Sequence, residues 1–309
     1  MAKEGGGGFA VANYNTMNKK NVAIIGVGLI GGSLGMALRR SGQYRVVGIG
    51  RSNAKLAAAK KRGAVDSFTV DHARGVCDAD IVVVCTPVDS IASQIKKIVA
   101  HCKPGAVITD AGSVKGFVIK EVAKVLSTPR NRTVRMPVFV GAHPMAGLEK
   151  NGLAAATGDL YKNATVVIAG TIHASASQID CVKRMWRCAG GRICELDPKD
   201  HDAIVAMTSH VPHVVAYGFG GLTETLQGKQ CNAVQLMAGS FKDMTRVAAA
   251  SPADWARICR ANRTEITKTL TALIRYLSLA KKNLNDTAAL EKLFEKGHRV
   301  RCNLHALDH

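Results

Sequence analysis

Aromatic side chains are scarce, at 5% of 309 residues. Proteins that grip nucleic acid through stacking platforms need them, and the basic residues here are not interleaved with aromatics. Acids are also few: 23 Asp and Glu against 42 Lys and Arg leave a formal charge of +19. The cations are dispersed, with only small clusters such as Lys60-Lys61-Arg62 and no nucleic-acid motif beside them. The surplus is therefore read as steering of polyanionic small molecules, with no nucleic-acid partner expected. No apolar run reaches the roughly 18 residues of a spanning helix, so no membrane partner is expected either. The nine cysteines form no C-x-x-C pair, and several, such as Cys85, sit inside apolar runs. They read as reduced thiols of a cytoplasmic protein, not as a disulfide framework or zinc site. Residues 1–20 hold no arginine and no apolar core, only a Gly5–Gly8 run, and are expected to be a flexible leader.

Strand and helix patterns alternate through the first two-thirds of the chain. Strands are predicted over Val22–Ile25, Tyr44–Ile49, Ile81–Cys85, Ala106–Asp110, Val138–Gly141, Thr165–Ala169 and Ile193–Leu196. Helical spacing between them, as in Ser33–Arg40 and Lys115–Leu126, argues a doubly wound parallel α/β sheet. From Pro198 on the strand signals vanish. Helices are expected over His201–Leu226, Val234–Ala249, Asp254–Asn283 and Thr287–His298, broken by Gly228, Pro252 and Asn285-Asp286. The predicted organisation is a sheet domain over residues 21–197 and an all-helical domain over 198–309.

The first strand breaks into Gly26-Val27-Gly28-Leu29-Ile30-Gly31, a G-x-G-x-x-G run between a buried strand and a helix. Gly26 suits a tight turn, Gly28 a close approach of pyrophosphate, and Gly31 tight strand–helix packing, while the helix start offers free N–H groups. An acid at the end of the second strand would bind the ribose hydroxyls of NAD. Here Gly50-Arg51-Ser52-Asn53 stands in its place. A guanidinium and a hydroxyl welcome a 2′-phosphate that a carboxylate would repel, so NADP is the expected cofactor.

Ligands of such sheets gather at the strands' C-terminal ends. Those ends also carry Thr86-Pro87, Asp110-Ala111-Gly112-Ser113-Val114-Lys115 and His143-Pro144-Met145-Ala146-Gly147. A neutral histidine is the usual group for removing a hydroxyl proton as hydride departs, so His143 is the candidate base. Ser113 is placed to orient it, or to cap the helix from Lys115. In the helical half, His210 and His213 lie three apart on one helix face, suited to binding a carboxylate; no metal site is expected, because other ligand clusters are lacking. Lys242 and Arg246 lie four apart, and Arg246 is the candidate bidentate carboxylate clamp.

Taken together, G-V-G-L-I-G-G-S, D-A-G-S-V-K, G-A-H-P-M-A-G, T-S-H-V-P-H and F-K-D-M-T-R resemble the prephenate/arogenate dehydrogenase family of tyrosine biosynthesis, over about residues 20 to 280. The resemblance implies a Rossmann domain followed by an all-helical domain that forms a homodimer. It implies that His143 is the catalytic histidine at the ring hydroxyl and Ser113 its partner near the nicotinamide. Arg246 would bind a substrate carboxylate, His210 and His213 would line the pocket, and Glu149 would help gate it. The family often has Thr where this chain has Leu148. Donation from His213 to a side-chain carboxylate inclines the reading toward prephenate over arogenate. Two rivals remain in view. A β-hydroxyacid dehydrogenase would use a lysine on the first long interdomain helix, yet no Lys lies between Asp200 and Thr225. A non-enzymatic NADP sensor would not need His143, Ser113 and Arg246 together.

Overall fold

The apolar runs Val22–Ile25, Ile81–Val84 and Val107–Asp110 are buried along their whole length, as strands covered on both faces must be. They form the middle of one eight-stranded sheet in the computed structural model, which describes residues 19–127, 137–148, 150–226 and 236–305. In chain order the first part comprises β1 (Lys20–Ile25), α1 (Leu29–Arg40), β2 (Tyr44–Ile49), α2 (Asn53–Lys61), β3 (Ser67–Thr69), α3 (His72–Val76), β4 (Ile81–Val84) and α4 (Ile91–Ile98). It continues with β5 (Val107–Asp110), α5 (Lys115–Leu126), β6 (Val138–Pro144), β7 (Thr165–Ile172), α6 (Ala176–Cys188) and β8 (Arg192–Glu195).

The strand order is β3-β2-β1-β4-β5-β6-β7-β8. The succession reverses between β1 and β4, the switch point at which such sheets bind nucleotides. One expectation fails: β6 and β7 pair antiparallel, whereas all other neighbours are parallel. Among the described residues the connection between them holds no α-helix, just the 3-10 turn Leu153–Ala155, and parallel neighbours are usually joined by a crossover helix. Strand β3 and helix α3, absent from the sequence reading, are too short to show a periodicity.

The chain divides in sequence between Pro198 and Lys199 into two units. After α7 (Pro198–Val205) comes a π turn, Ala206–His210, then α8 (Val211–Leu222) and a 3-10 turn, Thr223–Leu226. The single expected helix is thus interrupted, for a local reason. Pro212 lacks an N–H and its ring clashes with the carbonyl four residues back. A wider turn absorbs the misfit, and the Val211 N–H donates to the Ala206 carbonyl five residues back. Helix α9 (Gly239–Thr245) gives way to a 3-10 turn, Arg246–Ala249. The expected helix over Asp254–Asn283 is two, α10 (Pro252–Ala261) and α11 (Arg263–Lys282), parted at Asn262; α12 (Thr287–His305) follows. Ala206, Val211 and Ile266 centre this unit's core. Among the described residues no helix is long and apolar enough to cross a membrane.

Candidate active site

Each glycine of the first loop has a distinct reason to be there. Gly26 sits at φ +94°, and a Cβ on it would lie 2.7 Å from the Cys85 carbonyl oxygen. On Gly31 a Cβ would meet the Gly26 oxygen at 2.2 Å and the Ile24 Cγ2 at 2.8 Å. On Gly28 it would meet nothing within 4 Å, so that face of the backbone is open to a ligand. Helix α1 starts at Leu29, four residues earlier than the spacing suggested, with Gly28 as its N-cap. No side chain caps it and no acid occupies its first turn, so the N–H groups of Leu29, Ile30 and Gly31 are left for an anion. The cradle fits a dinucleotide pyrophosphate. It is braced from behind: the Tyr161 hydroxyl donates to the Ile30 carbonyl at 2.6 Å, and the Thr157 N–H donates to the buried Ser33 Oγ at 3.0 Å.

Beyond β2, Arg51 is exposed and Ser52 is the N-cap of α2, its hydroxyl accepting from the Lys55 N–H at 3.4 Å. Across the switch point, Thr86 Oγ1 accepts from the Ser90 hydroxyl at 2.9 Å, and the Pro87 carbonyl accepts from the same hydroxyl at 2.8 Å. Burial, and then the charge of Asp110, push the Cys85 thiol up, so Cys85 is an inert wall under the loop.

Asp110 and Lys115, both fully buried, form an ion pair at the end of β5. Asp110 also accepts from the Gly112 N–H at 2.9 Å and from the Ala142 N–H at 3.0 Å. Lys115 Nζ donates to the Ala142 carbonyl at 2.7 Å. Both polar groups of Ala142 are therefore held, and the next residue is His143. His143 does not follow its strand, as the sequence reading had it, but lies within β6, opposite Val167 of β7. A register shift between Val140 and Ala142 bulges the strand just before it. A Cβ on the intervening Gly141 would lie 2.3 Å from the Ala169 carbonyl oxygen, so only glycine fits the bulge. Such bulges re-aim the side chains next to them. Ser113 does not cap α5, whose N-cap is Val114 without a side-chain bond.

In the helical unit His210 is buried, and Asn262 Nδ2 lies 3.1 Å from its Nδ1 and donates to the Asp202 carbonyl at 2.8 Å. An amide nitrogen can only donate, so His210 Nδ1 accepts and its proton sits on Nε2. Burial, first of all, lowers the His210 pKa to about 4, so the ring is neutral near pH 7. His213 has the opposite polarity. Its Nδ1 lies 2.8 Å from the Ser209 carbonyl and must donate, which leaves Nε2 as an acceptor in the neutral ring. The expectation that His213 donates to a carboxylate thus holds only for its protonated form. His213 stacks on Trp255 with ring centroids 3.5 Å apart, and His210 meets the same indole edge-on at 5.9 Å. Val214, Tyr217 and Cys259 join Trp255 around an apolar cavity of about 250 Å³. Lys242 on α9 and Arg246 at the start of the next turn are exposed. Glu149 lies outside the described residues.

Within the first unit the structure brings Gly26–Gly31, Thr86, Ser113 and His143 to the C-terminal ends of the adjacent strands β1, β4, β5 and β6. Within the second it brings His210 and His213 to Trp255. The sequence reading passed over Trp255, Asn262 and the Asp110–Lys115 pair. One signal was present: Lys115 is a cation in the first turn of a helix, where the helix dipole disfavours it unless an acid stands near.

Comparison with known proteins adds a lineage to this geometry. Residues 34–195 match the family model for the nucleotide-binding domain of prephenate dehydrogenase, and residues 197–296 match its dimerization domain. A cyclohexadienyl dehydrogenase of Zymomonas mobilis is 34% identical over 79% of this chain and 81% of its own length. A prephenate dehydrogenase of Bacillus subtilis is 31% identical over 80% of this chain, which spans 66% of that protein's length. The crystal structure of the A. aeolicus prephenate dehydrogenase, in complex with hydroxyphenyl propionate and NAD+, superposes with a TM-score of 0.82 at 28% identity, covering 94% of this chain and 99% of that one. With both halves matched in order, the chain belongs to the prephenate dehydrogenase family.

Proposed function

We propose that the protein oxidatively decarboxylates prephenate, with arogenate as the alternative substrate, using NADP. The observation that carries the reading is His143 on β6 and Ser113 just past β5, beside a glycine cradle that fits a dinucleotide, in a chain of this family. Residues 21–197 form the dinucleotide domain in this reading, and 198–309 the substrate and dimerisation domain. Exposed Ile274, Leu277 and Phe294 on α11 and α12 support a homodimer built through the latter.

Gly26 to Gly31 and the first turn of α1 would hold the pyrophosphate, and Thr86 and Pro87 would border the same site. When bound, the oxidised nicotinamide supplies the acceptor for the hydride that leaves the carbinol carbon. His143 takes the ring-hydroxyl proton, and Ser113 orients it. The ring carboxylate departs as CO2, leaving its bonding pair to complete the aromatic ring, so the overall change runs strongly downhill. The residues have mainly to align the substrate and hold its anions. Arg246 clamps one carboxylate, with Lys242 adding charge. His210, with its proton fixed on Nε2, donates to the substrate side chain.

The A. aeolicus relative is bound to NAD+. What favours the phosphorylated cofactor here is Arg51, exposed at the end of β2 where an acid would select NAD. Arg51→Asp is expected to shift the preference toward NAD by at least tenfold in kcat/KM. Unchanged NADP selectivity in steady-state kinetics would remove the 2′-phosphate role. Arg246→Ala is expected to raise the KM for substrate with little change in kcat. The loss should be about 1.5–3 kcal/mol, the worth of a charge-assisted bond. An unaltered KM would count against the clamp.

A further inference from the structure

We propose that Asp110 and Lys115 are positioning residues for the proton-transfer centre. This rests on the reading of His143 as the base. Three elements meet at the pair: Asp110 ends β5, Lys115 starts α5, and Ala142 precedes His143 on β6. Lys115 donates to the Ala142 carbonyl at 2.7 Å while Asp110 accepts from the Ala142 N–H at 3.0 Å. The peptide before Ala142 is thus held through its N–H and the peptide that joins Ala142 to His143 through its carbonyl, which restrains rotation on both sides of the residue. On the β5 side the ladder ends at Thr109 and Val140, just before the Gly141 bulge, so there Ala142 meets the side chains of Asp110 and Lys115. On its other side it pairs with Ile168 of β7. The same pair fixes the other candidate: Ser113 lies between the two charged residues, and the Gly112 N–H donates to Asp110 at 2.9 Å. One buried carboxylate thus sets the approach to Ser113 and to His143 together.

The energetics point the same way. Both side chains are fully buried, and desolvating two ions costs about what their attraction returns. Apolar side chains of like volume would avoid that desolvation, but they would take these partners from the Ala142 N–H and carbonyl and from the Gly112 N–H. What the pair adds beyond its own near-balanced attraction is therefore the geometry it imposes on those backbone groups.

The test compares the parent with Asp110→Asn/Lys115→Met, which removes both buried charges and leaves neither orphaned, and with Lys115→Met, in which two peptide N–H groups still bind the carboxylate. Measured on each are thermal unfolding, the dinucleotide dissociation constant by fluorescence titration, and kcat and KM for prephenate. Parental turnover is established first, so a parent that does not turn over overturns the proposed activity and is told apart from failure of the pair. The expected result is a folded double variant with the dissociation constant and KM within about threefold of the parent. Its kcat should fall by about 10–100-fold, the scale of a misplacement near 1 Å. A folded variant of either kind that turns over within twofold of the parent overturns the positioning role. So does failure of both to fold, which would make the pair a folding determinant alone.

Discussion

Replacing His143 by Asn is expected to lower kcat by about 10²–10⁴-fold, the usual worth of a positioned general base. Asparagine keeps a polar side chain of similar reach but has no nitrogen that accepts a proton, so oxidation at the carbinol must proceed with the hydroxyl proton unclaimed. Cofactor affinity should stay nearly intact. The groups that fit the pyrophosphate belong to β1, α1 and the loop joining them, and β4 and β5 lie between β1 and β6 in the sheet. Stability should change little, because the side chain is only half-buried. Steady-state turnover with prephenate, set beside a dinucleotide titration, checks both halves. Near-normal turnover in the variant would refute the assignment of the base.

The second large effect divides the glycines of the loop. Gly28→Ala adds a methyl group into open space, since a Cβ there meets nothing within 4 Å. The melting temperature should hold within a degree or two, yet the methyl stands where a phosphate has to approach the backbone, and dinucleotide affinity should fall about tenfold or more. Gly31→Ala must displace backbone, because its Cβ would lie 2.2 Å from the Gly26 carbonyl oxygen. Overpacking of that kind costs about 1–3 kcal/mol. In a domain of this size that lowers the melting temperature by roughly 2–10 °C. Affinity should fall as well, because the displaced atom belongs to the cradle. Thermal melts and titrations of the two variants check the contrast. Equal melting temperatures for both would contradict the separate roles given to Gly28 and Gly31.

What the sequence disclosed followed from periodicity and from chemistry that is local in the chain. Runs such as Ile81–Val84 are apolar without alternation because both faces are covered, and the glycine motif is contiguous. The antiparallel β7 was legible in principle, since the stretch after Pro144 shows no helical pattern that could carry a crossover. The broken helices were harder to see. Pro212 announces a disturbance but not that a π turn absorbs it, and Asn262 parts α10 from α11 while its amide reaches His210, 52 positions away in the chain. The grip on Ala142 has the same character: Asp110 and Lys115 look unremarkable in sequence until the sheet sets β5 beside β6. Tautomers are likewise a tertiary property. His210 and His213 look equivalent on one helix face, and only their partners, Asn262 and the Ser209 carbonyl, give them opposite hydrogen-bonding polarity.

The central claim is tested most directly by incubating the purified protein with prephenate and NADP. Reduced cofactor is followed by absorbance, with CO2 and the aromatic product measured alongside. The account predicts equimolar NADPH, CO2 and 4-hydroxyphenylpyruvate from the parent and almost none from His143→Asn. Dinucleotide that binds with ordinary affinity but is reduced neither with prephenate nor with arogenate, under NADP or NAD, would contradict it.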